Sequence, residues 1–327
     1  MPSTFDWPVS DTFLGAMIVD LDMRTWARND DLGDELAAAV RRSGSTRWVA
    51  PDGSPEALES AMSSIDAALL LGFRSELIRG AVNEAFLRPI IDRSGGRLFL
   101  ARAIDPLSSN ACAEIDSARS EGIAALWMDP ALQGFNPTHS RAMRAFDRAE
   151  ANQLPVMLGW SGPQPASSRM EFARPYLLDE VARQFPRLSL VIAGFGAPFT
   201  QETMALIAKH DRVFTTTAGV AARPWELLNV LQMARDLDVD RKIFFASGFP
   251  FDTPARAIEA ILAVNSWIQS TPLPHIARSV LRAIVERDAI SLLGLGIAPM
   301  HQSRDSARIL ADNVLTDARP RLTEETI

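Results

Sequence analysis

An acidic and a basic residue lie two positions apart near the start of the chain. Asp22 and Arg24 come shortly after the mostly apolar segment 16–20, which is predicted to be a buried strand. A guanidinium group prefers a carboxylate as its partner, so the two side chains are expected to pair. Two interpretations stay open: the pair clamps a small molecule, or it is a structural salt bridge that fills a pocket.

Two tryptophans and two aspartates fall near the ends of further predicted strands. Trp127 and Trp160 follow the fourth and fifth strands, where they line a pocket for an apolar ligand or fill the core. Asp105 and Asp129 each precede a proline. Strand-end carboxylates can be catalytic in a barrel, but an aspartate before a proline is also a common turn, and we favour the turn.

The chain has only four histidines and one cysteine. The histidines fall at predicted helix ends or in the C-terminal tail, and are expected to be surface or capping residues: His139, His210, His275 and His301. With no histidine at a strand end, a serine nucleophile has no base. Cys112 alone excludes an internal disulfide and a thiolate metal cluster, which fits a reducing cytoplasm.

Eight short apolar segments predict strands, starting near residues 16, 67, 98, 123, 155, 188, 213 and 243. From the third strand onward a helical segment separates each pair, as in repeated βα units. The pattern predicts an α/β protein: a single (β/α)8 TIM-like barrel with extra N-terminal and C-terminal helical segments. One domain over residues 1–327 is expected, with a core of about 16–295 and a helical tail at 296–327. Longer helices are predicted at 76–94 and 305–316.

The 327-residue chain has a net charge of −7 and no prominent basic run. These features argue against nucleic acid and anionic membranes as partners. No apolar run approaches the roughly 18 residues of a membrane span. The first residues lack the basic and apolar regions of a signal peptide, so a cytoplasmic location is expected.

Several stretches of the chain resemble, in order and spacing, segments of one enzyme family. They are GIAALWMDPALQGFNP at 122–137, LPVML at 154–158, FPRLSLVIA at 185–193, KIFFASGFPFDTP at 242–254 and SLLGL at 291–295. The family is the amidohydrolase-related (amidohydrolase 2) family of the metal-dependent hydrolase superfamily. The resemblance implies a barrel from about residue 16 to 295, with the family's metal site at the strand ends.

The positions that hold the metal in this family carry other residues here. The family's D-x-H-x-H is Asp20-Leu21-Asp22-Met23-Arg24, so Asp22 and Arg24 replace the two histidines. The remaining ligand positions fall on Gly159 (or Trp160 in the adjacent register), Gly194 and Gly248. A glycine cannot bind a cation through a side chain, and Arg24 would repel one. The resemblance therefore implies no metal or other cofactor in this chain. The expected pocket lining is Trp127, Gly159, Trp160, Gly194 and Gly248.

Three functional hypotheses follow from the resemblance. The first is a non-catalytic companion subunit of a hetero-oligomeric enzyme, whose partner is a metal-bearing related barrel or a further copy of this chain. The alternative is a metal-independent hydrolase or lactonase for a small carboxylate, with Asp22 as base and Arg24 orienting the substrate. The third, an ordinary metallohydrolase, requires that several ligand positions are misplaced.

Four of the seven tryptophans fall outside the predicted strands, in lead-in, loop or helix-start positions: Trp7, Trp26, Trp48 and Trp225. Clustered exposed aromatic side chains mark interfaces. These residues are expected either to form such an interface or to cover the ends of the barrel.

Overall fold

The computed structural model, which describes residues 17–47 and 51–296, is a barrel of eight parallel strands surrounded by helices. The strands are β1 (Val19–Met23), β2 (Ala67–Leu71), β3 (Arg74–Ser75), β4 (Gly80–Ala81), β5 (Leu98–Ala103), β6 (Ala125–Met128), β7 (Val156–Leu158), β8 (Leu190–Ile192), β9 (Val213–Thr216) and β10 (Ile243–Phe244). The hairpin β3–β4 stands apart, and the other eight follow the order β1-β2-β5-β6-β7-β8-β9-β10. The predicted barrel is confirmed.

Backbone hydrogen bonds join β1 to the chain around and after β10 and so close the ring. They run from Leu21 N to Phe245 O at 3.2 Å, from Gly248 N to Asp22 O at 3.1 Å and from Arg24 N to Phe249 O at 3.1 Å. The ends of the first and last strands are therefore held together, which brings residues far apart in sequence to one face of the barrel.

The helices of the described residues mostly lie between successive barrel strands. They are α1 (Asp34–Arg47), α2 (Pro55–Ala61), α3 (Glu84–Arg93), α4 (Ala111–Ala118), α5 (Pro130–Gln133), α6 (Ser140–Ala151), α7 (Asp179–Gln184), α8 (Thr200–Lys209), α9 (Pro224–Asp236), α10 (Pro254–Leu262), α11 (Arg278–Val285) and α12 (Ala289–Leu293). Short 3₁₀ turns at 170–173 and 175–178 lie before α7.

The barrel strands are apolar because both of their faces are buried. All five residues of β2 and all four of β6 are buried. Helices cover the outside of the barrel and side chains fill its inside, which explains why these strands show no alternation of polar and apolar residues in the sequence.

The first strand and the predicted helix 76–94 differ from the sequence-based expectation. Strand β1 begins at Val19, so Asp20 and Asp22 lie within it rather than around its end. The segment before α3 forms the β3–β4 hairpin instead of a helix. In this hairpin Gly80 packs closely on the turn that precedes α1, since a Cβ on Gly80 would lie 2.3 Å from Leu32 O. Asn83 then starts α3 by accepting the N–H of Ala85 at 2.9 Å.

The short helices α2, α5 and α12 escaped the sequence-based prediction. The predicted helix 305–316 lies outside the described residues, and the assignment of 1–327 to one domain stays a prediction. Within the described residues, none of the helices is both long enough and apolar enough to cross a membrane.

Candidate functional site

A buried ion pair joins Asp22, inside β1, to Arg24, directly after that strand. The Arg24 Nε donates to Asp22 Oδ1 at 3.1 Å, and each side chain is only 2% exposed. Asp20 lies next to this pair, since its Oδ1 accepts the N–H of Asp22 at 3.0 Å. The pairing predicted from the sequence is therefore present, and the pair is shielded from solvent.

Two indole rings hold the guanidinium group of Arg24. Its central carbon lies 4.9 Å from the ring centroid of Trp127 and 4.6 Å from that of Trp160. The carbonyl oxygen of Gly159 accepts from Trp127 Nε1 at 2.9 Å and from Arg24 Nη2 at 3.4 Å. Cation–π attraction is strongest where water is excluded, so these rings help to offset the cost of burying the charge.

Residues Trp160–Gly162, hereafter the plug, reach across the mouth of the barrel to the ends of β9 and β10. A Cβ on Gly248, whose φ is +75°, would lie 3.1 Å from Ser161 Oγ and 3.0 Å from Gly219 N. A Cβ on Gly219 would lie 2.7 Å from Ser161 O. The space in which a side chain at position 248 would begin is therefore crowded by Gly219 and by Ser161 of the plug.

Aromatic side chains pack around the plug. Ring centroids lie 5.5 Å apart for Phe73 and Trp127, 5.5 Å for Phe73 and Trp160, 5.5 Å for Trp160 and Phe251, and 6.4 Å for Trp26 and Phe251. Trp26 is 3% exposed, so this tryptophan covers the barrel's own end and forms no external interface.

Burial shifts the protonation equilibria of the carboxyl groups near Arg24. It raises the pKa of Asp20 to about 7, although the N–H groups of Asp22 and Ser247 donate to this carboxyl. Burial also raises the pKa of Asp22, against the opposing charge of Arg24, and that of Asp129 to about 6. The same burial lowers the pKa of Arg24. The charge of Arg24 thus acts on two of these carboxyl groups, Asp22 and Asp129.

Four buried polar atoms at the mouth have no hydrogen-bond partner among the described residues: Asp20 Oδ2, Asp22 Oδ2, Arg24 Nη1 and Ser161 Oγ. Ser161 lies close enough to lower the pKa of Asp22, but the two do not meet hydrogen-bond geometry. Buried polar groups are usually paired, so a cluster of unpaired ones is a feature that a function or a bound water must account for.

Of the seven residues expected as catalytic candidates or pocket lining, the structure brings six together: Asp22, Arg24, Trp127, Gly159, Trp160 and Gly248. Gly194 lies one strand away, where a Cβ would come within 2.5 Å of Ala218 O. Asp105 and Asp129 make the expected turns, accepting backbone N–H groups of Glu76 and Leu107 and of Leu132, respectively.

Of the histidines, His139 caps α6 and His210 ends α8 next to Asp179, in the capping positions that the sequence predicted. His301 lies outside the described residues. Sequence reasoning missed Ser161 and Phe251, which complete the mouth. Gly219 and Gly248 were the available signal for the plug, because glycines at the ends of two neighbouring strands leave room for another part of the chain.

The arrangement defines a TIM-barrel protein with its polar groups at the carboxyl ends of the strands, where barrel enzymes have their active sites. The Amidohydrolase family model (Amidohydro_2) matches residues 76–295, and the chain belongs to this family. No curated protein has a significantly similar sequence.

Solved structures of low sequence identity share the fold. An uncharacterised TIM-barrel protein from Bordetella bronchiseptica is 16% identical, with a TM-score of 0.66 over 85% of this chain and 98% of that one. A probable 2-pyrone-4,6-dicarboxylic acid hydrolase from Acinetobacter baumannii, with citric acid bound, is 15% identical (TM-score 0.58; 85% and 99%). The 5-carboxyvanillate decarboxylase from Sphingomonas paucimobilis is 14% identical (TM-score 0.59; 86% and 100%).

Proposed function

We propose that this chain is a non-catalytic subunit of the amidohydrolase family that works in a complex with a related, metal-bearing barrel. The observation that carries the proposal is the plug: Ser161 occupies the space at Gly248, the position of the family's strand-eight aspartate. A side chain at position 248 would therefore press on Ser161 and on the backbone of Gly219. The barrel is otherwise intact, which suits a structural partner.

The residues present do not fit a divalent cation. Asp22, the one carboxylate at a ligand position, is already paired with Arg24 at 3.1 Å. Gly159, Gly194 and Gly248 offer only backbone atoms, and among residues 17–47 and 51–296 no group of three or more His, Cys, Asp or Glu side chains is placed to hold a metal. We therefore assign any metal chemistry of the complex to the partner chain.

Large exposed apolar side chains support association. Trp225 at the start of α9 is 62% exposed and Trp267, after α10, is 63% exposed. Trp7 and Trp48 lie outside the described residues. Exposed aromatic residues are enriched at protein interfaces, so Trp225 and Trp267 are the first positions at which to look for the partner.

The test is purification of the native complex through a tag on this chain, followed by metal analysis of each separated subunit. We expect a related barrel chain that carries the metal, and activity that survives the double substitution Asp22→Asn/Arg24→Met in this chain. The double variant removes both charges and so leaves no unpaired buried charge. The companion role would be contradicted if this chain is recovered without a partner, is active by itself, and loses that activity in the double variant.

The second candidate function is a metal-independent hydrolase for a small carboxylate. It is favoured by the unpartnered Arg24 Nη1 and Asp22 Oδ2, which together offer a donor to a substrate carboxylate and a base. Similarity to a probable 2-pyrone-4,6-dicarboxylic acid hydrolase points to the same substrate class. This activity requires the plug to move aside. Hydrolysis by the isolated chain that is lost in Asp22→Asn, with the fold retained, would establish it.

A further inference from the structure

A cleft of about 70 Å³ lies beside the plug, at the ends of β6, β7 and β8. Segment 172–178 covers its far side, and the residues lining it include Asp129, Trp160, Phe172 and Arg174. Arg174 and Gln164 are exposed, so the cleft opens to solvent on their side. Asp22 and Arg24 do not line it, although Gly159 and Trp160 of the barrel mouth do, so the cleft adjoins the ion pair without containing it.

Asp129 gives one wall of the cleft an acidic character. This residue is 2% exposed, and its Oδ1 accepts the N–H of Leu132 at 2.8 Å. The nearest buried cation, Arg24, is already paired with Asp22. Among the described residues no cation forms an ion pair with the Asp129 carboxyl group, although the charge of Arg24 acts on it.

Among the described residues that line the cleft, Arg174 is the cation, and it is paired with other groups. Arg174 Nε donates to Glu202 Oε1 at 2.9 Å, and its guanidinium stacks on Tyr176 and Phe199. An anion entering the cleft would meet a neutralised arginine and a buried carboxylate. An organic cation would instead meet the Asp129 carboxylate and the aromatic side chains of Trp160 and Phe172, which attract cations. Arg24 already lies over one face of Trp160 and Arg169 over one face of Phe172.

We propose that this cleft binds a small organic cation, an alkylammonium group that Asp129 recognises and that Trp160 and Phe172 enclose. The volume sets the size: since one water needs about 10–15 Å³ of such space, the cleft accommodates about five non-hydrogen atoms. A tetramethylammonium or trimethylammonium group is of this size. The proposal is independent of the companion role, because it needs neither a partner chain nor an open barrel mouth.

The experiment is a titration of the full-length protein with tetramethylammonium chloride, followed through the indole N–H resonance of Trp160. That N–H donates to Pro163 O at 3.0 Å, so its chemical shift reports on the cleft wall. The resonance is assigned by its loss in Trp160→Phe. Sodium chloride keeps the ionic strength constant. We expect saturable shifts with tetramethylammonium, and none with acetate or with tert-butanol, a neutral molecule of similar size.

The variant Asp129→Asn should weaken binding at least tenfold, while its amide oxygen can still accept the Leu132 N–H. The matched control is Asp105→Asn: Asp105 is also a buried strand-end aspartate that accepts backbone N–H groups, but it does not line the cleft. Phe172→Leu should weaken binding severalfold and serves if Asp129→Asn fails to fold. No saturable shift at 50 mM probe, equal shifts with tert-butanol, or unchanged affinity in the folded Asp129→Asn and Phe172→Leu proteins would overturn the proposal.

Discussion

Asp20 is held inside the barrel in surroundings that favour its neutral form. Burial raises its pKa from 3.8 to about 7. Between these two values the folded protein binds more protons than the unfolded chain, so this group lowers the free energy of unfolding as the pH rises from about 4 to about 7. The buried Asp20 carboxyl group thus reduces the free energy of unfolding above about pH 7 relative to its value at low pH, where the group is uncharged.

The substitution Asp20→Asn should remove that pH dependence. The asparagine oxygen can still accept the N–H groups of Asp22 and Ser247, while no charge is buried. We expect the variant to exceed the parent protein in free energy of unfolding at pH 8 by on the order of 4 kcal/mol, and to match it at pH 4. Urea unfolding at both pH values measures this. Equal pH dependence in the two proteins would show that Asp20 is ionised in the fold.

Gly248 is required by both its backbone and its surroundings. Gly122 has the same φ of +75°, but a Cβ there would meet nothing within 4 Å. Gly122→Ala therefore measures the backbone strain alone, about 1–2 kcal/mol. Gly248→Ala should cost about 1–3 kcal/mol more, because its Cβ would press on Gly219 N and Ser161.

A double-mutant cycle tests whether contact with the plug causes the additional loss of stability in Gly248→Ala. Adding Ser161→Gly to Gly248→Ala should recover part of the loss, since the crowding with the serine side chain disappears while that with Gly219 N remains. Thermal unfolding of the four proteins gives the coupling. Strict additivity of the two changes would mean that the plug does not occupy the mouth in solution.

At the scale of elements, Arg119 ties the last described helix to the barrel. Its side chain, at the end of α4, donates to the carbonyl oxygens of Leu295 at 3.2 Å and Gly294 at 3.0 Å, and to that of Asn152 at 3.3 Å. One guanidinium thus links the ends of α4, α6 and α12. Without it, α12 would be held by the packing of its own short apolar face.

Arg119→Met should loosen α12 without unfolding the barrel. We expect faster amide hydrogen exchange in residues 289–295 and a loss of roughly 1–3 kcal/mol in the free energy of unfolding, because the carbonyl groups lose a charged donor. Arg187→Met is the control, since Arg187 is 83% exposed and pairs with Glu150 at the surface. Unchanged amide hydrogen exchange in residues 289–295 would mean that apolar packing, and not Arg119, holds α12 in place.

At the scale of the whole molecule, the residues at the barrel mouth predict that divalent metals do not change the stability of the protein. Zinc or manganese bound to the folded protein at a thousand times its dissociation constant would add about 4 kcal/mol to the free energy of unfolding. We expect no such stabilisation of the isolated chain, and no stoichiometric metal after dialysis. A stoichiometric metal that is lost in Asp22→Asn would show that the mouth opens and that the ion pair gives way to a ligand.

The sequence by itself determined the fold and several of the residues at the mouth, but not Ser161 or Phe251. Eight apolar segments at βα spacing predicted the barrel, because a strand buried on both faces needs a continuous apolar run. Segments at 122–137 and 242–254 aligned the chain with its family. From that alignment Asp22, Arg24 and Gly248 could be placed near one another before any coordinates were known.

Only the tertiary structure decided whether that end of the barrel is open. Ser161 meets Gly219 and Gly248, and Arg24 lies between Trp127 and Trp160; these contacts join residues that are far apart in the chain. The path of a loop between strands leaves no periodic pattern in the sequence, because it depends on which distant side chains leave it room. The plug, the burial of the ion pair and the neighbouring cleft are all consequences of packing in three dimensions.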